Sequence, residues 1–374
     1  MFTNHISREL TNAMISSSDS TSSAEVNFSS VETPELICIF SPHENKEEKT
    51  VIAVIYILTS SLSIVGAGSI LIYAFSKRIV RSPEVHPLFH LALADLILAS
   101  LWLSGACTWF HNKYQDCFYL DAFGEMAHLA SFFLTVNYAL TAYMRLREKA
   151  DTITNLPFSS VAYREKCSIW FSRIFYVLCW LTPLVIMLPL LINGGDDLEE
   201  TPRDCTLCLL LFDRPKPKKP KNLQSTWWSY GSIALTATLT FSIITLVLLY
   251  FMMLRAYRKA VLNSGVLTDI QRANIDAIRN RIFLYVLVFL ACWSPALVVA
   301  SCDIDPRIRL TSVKHWFTLF VFQGLTAPMQ GFFNCIVYGW ARKNFREASE
   351  RRTVLLESDE YISHFHRPSY GSSL

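Results

Sequence analysis

Long apolar runs with almost no charge restrict this chain of 374 residues more than any other feature. A helix needs about 20 apolar residues to cross the hydrocarbon layer of a bilayer. Inside that layer, only helices and closed barrels satisfy their own backbone hydrogen bonds. The run over 51–75 is long enough and contains no charged residue. We therefore predict an all-α protein that crosses a lipid bilayer several times.

Seven runs in the sequence have this length. They lie at roughly 51–75, 86–109, 117–143, 168–192, 226–254, 282–301 and 314–340. The third is the least apolar, because Asp121 and Glu125 lie in its first half. We predict a seven-transmembrane helix bundle over 51–340, an extracellular and disordered tail over 1–50, and a cytoplasmic amphipathic helix with a polar tail over 341–374.

The composition agrees with a membrane protein and excludes several other classes. Only 17% of the residues are charged and 52% are hydrophobic, whereas a soluble domain carries about 25% charged residues. The net charge of +3 provides no strong field for polyanions, so nucleic acid is not an expected partner. Ten cysteines in a chain of this length are too few for a disulfide scaffold.

The loops predict the orientation, because Lys and Arg accumulate on the cytoplasmic side of a membrane. With the amino terminus outside, the inner segments hold 21 of these residues and the outer segments hold 13. We predict a plasma-membrane protein with a cytoplasmic carboxyl terminus, glycosylated at the Asn27 sequon. The outer loop RPKPKKPK at 214–221 is either a stiff, solvated spacer or a collar for an acidic ligand. Leu374 ends a sequence that a PDZ protein could bind.

Three spans contain residues that a purely lipid-facing helix would not carry. Asp95 lies in the middle of the second span, where an ionisable group is costly unless it is paired or hydrated, and so indicates a functional site. In the sixth span Pro295 removes a backbone hydrogen bond and bends the helix, with Trp293 two residues before it. In the seventh span Asn334 is followed one turn later by Tyr338.

These motifs resemble those of rhodopsin-like G-protein-coupled receptors over about 51–348. LALADL in the second span, FLACWSP in the sixth and the Asn334–Tyr338 pair in the seventh are similar to that family's motifs. The stretch 328–334 is more similar to the cyclic-AMP-receptor pattern, and the chain also resembles the orphan transmembrane protein 116 family.

The resemblance implies a receptor that transmits the binding of an extracellular ligand to a heterotrimeric G protein. Its helices would rearrange about a hinge at Trp293 and Pro295. Retinal is not an expected cofactor, because the middle of the seventh span has no lysine for a Schiff base and Lys314 lies at its outer edge.

The sequence departs from the receptor pattern at the inner end of the third span. Thr-Ala-Tyr at 141–143 stands where the family has Asp-Arg-Tyr, and the nearest arginine is Arg145. We predict that Arg145 takes over the coupling role, in a pair with Asp276, and that Tyr338 belongs to the same switch.

The resemblance also implies a polar network below Trp293. Its members are Asp95, Ser131, Gln330 and Asn334. Ser69 would lie near the network in place of the family's first-helix Asn, and Cys335 replaces the seventh-helix Pro. Such a cluster could hold a sodium ion with the help of water, or it could be a hydrated network without an ion.

On the outer side, the resemblance implies a disulfide from Cys117 to Cys205 or Cys208, with Cys205 favoured. Disulfides persist outside the cell. Cys38 and Cys302 are either a second pair or free thiols.

Glu125 and His128 lie three residues apart in the third span and so share a helix face. If that face lines the bundle, these two residues and Trp293 contact the ligand or sense pH, since histidine titrates near neutrality. The alternative is a structural pair whose members satisfy each other's hydrogen bonds.

Other functions are also compatible with a seven-span chain. The altered third-helix motif makes a receptor-shaped scaffold or trafficking protein without coupling the main alternative. A transporter needs a polar path, and we expect no buried Lys or Arg in the spans. A seven-span zinc hydrolase needs several His and Asp residues at one face. Only His90, Asp95 and His128 are available, so we do not expect an enzyme.

Overall fold

A computed structural model describes residues 36–37, 46–80, 85–111, 117–153, 158–193, 216–217, 224–263, 269–304 and 313–339. Several sequence predictions lie outside these residues. They concern the tail before residue 36, Asn27, Cys38, Cys205, Cys208, the segment after residue 340 and Leu374.

The described part of the chain consists mainly of seven α-helices, and a further short helix follows the seventh. They are α1 (Lys46–Ser76), α2 (Val85–Phe110), α3 (Cys117–Ile153), α4 (Phe158–Asn193), α5 (Gln224–Asn263), α6 (Asp269–Ile304) and α7 (Val313–Thr326). A 3-10 turn at Ala327–Met329 follows α7, and the helix continues over 330–339 as α8. A two-residue strand, β1 (Leu36–Ile37), pairs antiparallel with β2 (Lys216–Pro217). The predicted all-helical character is confirmed.

Five helices of the described residues are long and apolar enough to cross a membrane by length and composition. Their spans are Glu47–Ser76, Val85–Phe110, Ile174–Ile192, Tyr230–Arg258 and Asp276–Ser301. They do not include α3, which carries Asp121 and Glu125 in its first half, or α7, which ends at the 3-10 turn. The chain is therefore a multi-pass membrane protein, and the count of seven spans stays a prediction.

The seventh predicted span differs from a single helix. Pro328 lies in the 3-10 turn between α7 and α8. Proline has no N–H to donate, so the α-helical hydrogen bonding is interrupted where it occurs. The turn places Gln330 at the start of α8, where it faces α2 and α3.

Helices α1 and α2 contact each other through side chains seven residues apart. The ammonium of Lys49 lies 5.9 Å from the ring centroid of Trp109. The rings of Tyr56 and Trp102 are 4.5 Å apart. Steps of seven residues keep side chains near one face of a helix. One further step along α2 therefore brings Asp95 onto the same face.

Glycines allow the backbones of α1 and α8 to touch. A Cβ atom at Gly66 would lie only 2.6 Å from the Cα of Phe332. A Cβ at Gly331 would lie 2.6 Å from the Oγ of Ser63 and 3.2 Å from the Cβ of Asp95. Carbon atoms in normal contact are about 3.5–4.0 Å apart. Only glycine fits at either position without displacing its neighbours.

Pro295 lies inside α6, and α7 contacts the turn that precedes it. The hydroxyl of Thr326 donates to the carbonyl of Cys292 at 3.1 Å and to that of Phe322 at 2.9 Å. Proline weakens the hydrogen bonding of the preceding turn, and Thr side chains of neighbouring helices restore it inside membranes. The Thr326 hydroxyl therefore ties the Pro295 bend to α7.

Replacing Thr326 with valine should lower the stability of the folded protein. Valine keeps the shape but removes the donor to Cys292, and a hydrogen bond of this kind contributes about 0.5–1.5 kcal/mol. The apparent melting temperature in lipid nanodiscs measures the loss. Thr240→Val is the matched control, because the exposed Thr240 hydroxyl donates only within its own helix, to Thr236 at 2.8 Å. Equal shifts in the two variants would contradict the prediction.

Candidate functional site

Polar side chains of α2, α3 and α8 meet around the carboxylate of Asp95. Ser131 Oγ donates to Asp95 Oδ1 at 2.9 Å, and Gln330 Nε2 donates to the same oxygen at 3.0 Å. Asn334 Nδ2 donates to Oδ2 at 2.8 Å. All four residues are buried. The structure thus brings together the four residues that the receptor resemblance placed in one network.

Gln330 connects this network to the aromatic core. Its Nε2 faces Asp95, while its Oε1 accepts a hydrogen bond from the indole Nε1 of Trp293. The Trp293 ring packs edge-on against Phe132 at 4.6 Å and His128 at 5.1 Å between centroids, and lies 6.4 Å from Phe289. A displacement of Trp293 would therefore change the surroundings of both Gln330 and α3.

The donors around Asp95 decide which species the network can hold. Three hydrogen bonds from Ser131, Gln330 and Asn334 offset part of the cost of burying a carboxylate. Hard cations prefer oxygen ligands, and the Asp95 carboxylate and the Ser131 hydroxyl are such ligands. The Gln330 amide oxygen is directed at Trp293 instead. The Asp95 carboxylate and the Ser131 hydroxyl are thus the oxygen atoms here that a small cation would contact, and Ser131 Oγ also accepts a hydrogen bond from Gln330 Nε2 at 3.0 Å.

Glu125 and His128 lie on the inward face of α3 and are both fully buried. His128 Nδ1 lies 2.6 Å from the carbonyl of Gly124, so this nitrogen is the protonated donor. His128 Nε2 has no partner among the described residues. The ring also contacts Trp102 at 5.5 Å. His128 therefore presents a free acceptor inside the aromatic part of the bundle, whereas Asp121 is half-buried.

The first half of α6 contacts α8 through aromatic side chains. The hydroxyl of Tyr285 donates to the backbone carbonyl of Asn334 at 3.4 Å, and its ring lies 4.8 Å from that of Tyr138. The guanidinium of Arg281 lies 5.7 Å from the ring centroid of Tyr338, within the range of a cation–π contact. Tyr338 was predicted to belong to the switch, whereas Arg281 and Tyr285 were not predicted. Their spacing of four residues on one helix face was the available signal.

The predicted partner of Arg145 is engaged by other residues. The hydroxyl of Tyr257 donates to Asp276 at 2.7 Å, and Arg279 forms an ion pair with Asp276 at 3.4 Å. Arg279 also lies over the Tyr257 ring at 4.4 Å. Asp276 therefore joins α5 to α6 here. Within the described residues, the contacts of Asp276 are with Tyr257 and Arg279 and do not include the predicted pair with Arg145.

Ser69 lies beside Cys335 rather than in the Asp95 network. The Ser69 hydroxyl donates to the carbonyl of Gly66 at 2.7 Å, and its oxygen lies 3.1 Å from the sulfur of Cys335. The family's Asn and Pro are thus replaced by two residues that contact each other. The two departures from the receptor pattern are complementary, and together they keep α1 against α8.

Cys117 is buried at the start of α3. The free cysteines among the described residues are Cys107, Cys179, Cys292 and Cys335. Cys117 is not one of them. Its predicted partners, Cys205 and Cys208, lie outside the described residues, so the pairing stays a prediction.

His90 belongs to an aromatic cluster between α2 and α4. Its ring stacks on Tyr176 at 5.0 Å between centroids and lies 4.8 Å from His86. The indole of Trp180 donates to His90 Nδ1 at 3.4 Å. Within the described residues, no group of three His, Cys, Asp or Glu side chains is arranged to hold a metal ion.

The sequence profile of the family described as Transmembrane protein 116 matches residues 49–359. The chain belongs to this family. The match extends from the first turns of α1 past the end of α8, so it includes every residue of the Asp95 network. The predicted resemblance to this family is confirmed.

This chain is also similar to several receptors, at low sequence identity. It is 27% identical to melatonin receptor type 1B of Mus musculus over 199 residues, which are 51% of this chain and 49% of that receptor. It is 22% identical to the Caenorhabditis elegans protein named probable G-protein coupled receptor tkr-1, over 83% of this chain and 72% of the relative. It is 23% identical to tachykinin-like peptides receptor 86C of Drosophila melanogaster, over 82% of this chain and 59% of the relative.

The chain spans about half the length of the melatonin receptor that it matches. Together, the family match and the receptor relatives identify a receptor-like multi-pass membrane protein.

Proposed function

We propose that this family member is a seven-span receptor with a rhodopsin-like arrangement, and that it transmits the binding of an extracellular ligand to a heterotrimeric G protein. One observation supports this above all: an unbroken series of buried contacts joins His128 of α3 to Tyr285 in the middle of α6. The series is the His128–Trp293 ring contact and the hydrogen bonds Trp293–Gln330, Gln330–Asp95, Asp95–Asn334 and Asn334–Tyr285.

The ligand binds, in this proposal, on the side of Trp293 where Glu125 and His128 lie. A ligand shifts an existing equilibrium between two helix packings by its difference in affinity for them. Rotation of Trp293 breaks its hydrogen bond to Gln330 and frees α6 to move about Pro295, where the helix is weakest. A disulfide from Cys117 to Cys205 or Cys208 holds the outer loop over the ligand.

At the inner end, movement of α6 separates Arg281 from Tyr338 and exposes a surface for the G protein. The contact between these two residues stabilises the resting packing, a role that the missing Asp-Arg-Tyr motif has in the receptors that the sequence resembles. Arg145 contacts the G protein once α6 has moved.

A coupling assay in cells tests the proposal. Cells that express the wild type are screened with a library of peptides and small molecules against sensors for every G-protein class. We expect a ligand-driven signal that Arg145→Ala reduces, and a changed basal signal in Gln330→Leu. Thr240→Val, which alters only an exposed side chain, is the matched control. Absence of both basal and ligand-driven signals at normal surface expression would reject coupling.

That negative result would favour a scaffold or trafficking protein of receptor shape. The specific observation in its favour is Thr-Ala-Tyr at 141–143 in place of the coupling motif. We propose no enzymatic activity and no retinal, and metal analysis of the purified protein tests the zinc-hydrolase alternative. Stoichiometric zinc in folded protein would support the hydrolase.

We further propose that Asp95 and Ser131 bind a sodium ion. A ligand that binds only the folded protein stabilises it in proportion to its occupancy. The apparent melting temperature should therefore be higher in sodium chloride than in choline chloride at equal ionic strength. Asp95→Asn is the control, because it keeps the side-chain shape but removes the charge that binds the ion. Equal melting temperatures of the wild type in the two salts would contradict a sodium site.

A further inference from the structure

Polar atoms without hydrogen-bond partners line the inward face of α1. The Tyr56 hydroxyl and the Oγ atoms of Ser60 and Ser63 have no partner among the described residues, although each residue is at most 1% exposed. These residues are four and three apart, a spacing that keeps side chains on one helix face. Ser61 behaves differently, because its exposed hydroxyl donates to the carbonyl of Ile57 at 2.6 Å.

Helices α2 and α7 add similar atoms at the level of Tyr56. The indole Nε1 of Trp102 and both amide atoms of Gln323 are buried and have no partner in the described part of the chain. The rings of Trp102 and Tyr56 are 4.5 Å apart. Gln323 precedes Gly324, where a Cβ would lie 3.1 Å from the Tyr56 ring. Tyr56 and Trp102 therefore bring unpartnered polar atoms of α1 and α2 together, and Gln323 of α7 lies one residue before the close contact of Gly324 with Tyr56.

The other end of this column reaches the Asp95 network. A Cβ at Gly331 would lie 2.6 Å from the Oγ of Ser63 and 3.2 Å from the Cβ of Asp95, so these two residues approach the same point. From Tyr56 to Ser63 the helix rises about 10 Å. That distance is a few water molecules long.

The centre of the bundle does not provide such a connection. The Trp293 ring contacts the rings of Phe132, Phe289 and His128, and all four residues are at most 1% exposed. The Trp293 indole is also tied to Gln330. This aromatic layer separates Asp95 from the region of Glu125.

Buried polar groups in native proteins almost always have a partner, either in the protein or in bound water. We propose that α1, α2 and α7 enclose a file of bound water molecules along Tyr56, Ser60 and Ser63. The file joins the Trp102 region to the Asp95 network and hydrates Asp95 without passing Trp293. It goes beyond the proposed receptor function and does not depend on coupling to a G protein.

Radiolytic hydroxyl-radical footprinting of the wild-type chain in nanodiscs tests the water file. Radicals form from water in place, so a buried side chain is oxidised when bound water lies beside it. Tyr56 is compared with Tyr285, which is equally buried but donates to Asn334. We expect Tyr56 to be oxidised several-fold faster than Tyr285, as resolved by mass spectrometry of the peptides. Equal rates would overturn the proposal.

Two variants provide an independent measurement. A dry hydroxyl without a partner destabilises the protein, so Tyr56→Phe and Ser60→Ala would raise the apparent melting temperature if the column held no water. With bound water, each variant loses hydrogen bonds and the melting temperature falls. Ser61→Ala is the control, since its hydroxyl bonds only to its own helix. An unchanged or higher melting temperature in Tyr56→Phe would overturn the proposal.

Discussion

Replacing Asp95 with alanine should destabilise the protein more than any other single change in the bundle core. The substitution removes the acceptor of one buried hydrogen on each of Ser131, Gln330 and Asn334, while Gln330 Nε2 keeps its other hydrogen bond, to Ser131 Oγ at 3.0 Å. A buried donor without an acceptor costs about 1–3 kcal/mol. We therefore expect a loss of about 3 kcal/mol or more, seen as a large drop in the apparent melting temperature and in the yield of monodisperse protein.

The control for this experiment is Asp95→Asn. Asparagine keeps the side-chain shape and one acceptor oxygen, which can still serve Ser131 and Gln330, so the loss should be much smaller. If alanine and asparagine were equally damaging, the negative charge itself would be essential to folding. If alanine were harmless, the network would not contribute to stability, and that result would contradict the prediction.

Replacing Gly66 with alanine should produce the second large effect. The new methyl group would lie 2.6 Å from the Cα of Phe332, a backbone atom that cannot rotate away. Overpacking of a well-packed core costs about 1–3 kcal/mol. The expected result is a lower melting temperature, measured by thermal unfolding in nanodiscs.

Gly68→Ala is a matched control on the same helix. A Cβ at Gly68 would meet no atom within 4 Å, and alanine is the better helix former by about 1 kcal/mol. Gly68→Ala should therefore keep or raise the melting temperature. The same response in both variants would show that contact with α8 does not decide the effect at Gly66.

Local sequence patterns were sufficient to predict much of the fold. Apolar runs identified α1, α2 and α4–α6, because burial in lipid demands uninterrupted hydrophobic length. The 3-10 turn between α7 and α8 was not predicted, although Ala-Pro-Met at 327–329 carried the signal in Pro328. The acidic residues of α3 explain why it was the least apolar of the seven predicted spans and why it is not among the five helices that are apolar enough to cross a membrane.

The residues of the candidate site were predicted only where they belong to a recognisable sequence motif. Asp95 and Trp293 lie in motifs that resemble the receptor family, and Gln330 and Asn334 followed from the same alignment of positions. Arg281 was missed because its contact with Tyr338 depends on the relative rotation of α6 and α8, which a single sequence does not specify.

The proposed water file was not predicted for the same reason, since a single sequence does not specify how a helix is rotated in the bundle. Ser60, Ser61 and Ser63 look alike in the sequence, and only the rotation of α1 in the bundle decides which hydroxyls face inward. The partner of Asp276 depends in the same way on the register of α5 and α6, which brings Tyr257 to it.

At Gly66 the backbone of α1 lies directly against the backbone of Gly331 and Phe332 in α8, so no side chain can be compressed at this point. The two helices must then translate and rotate together, since sliding either one would drive main-chain atoms into each other. Any ligand-driven motion of α6 should therefore be a motion relative to α1 and α8, which stay fixed to each other. A spectroscopic distance from α1 to α8 should stay constant while the distance from α1 to α6 changes.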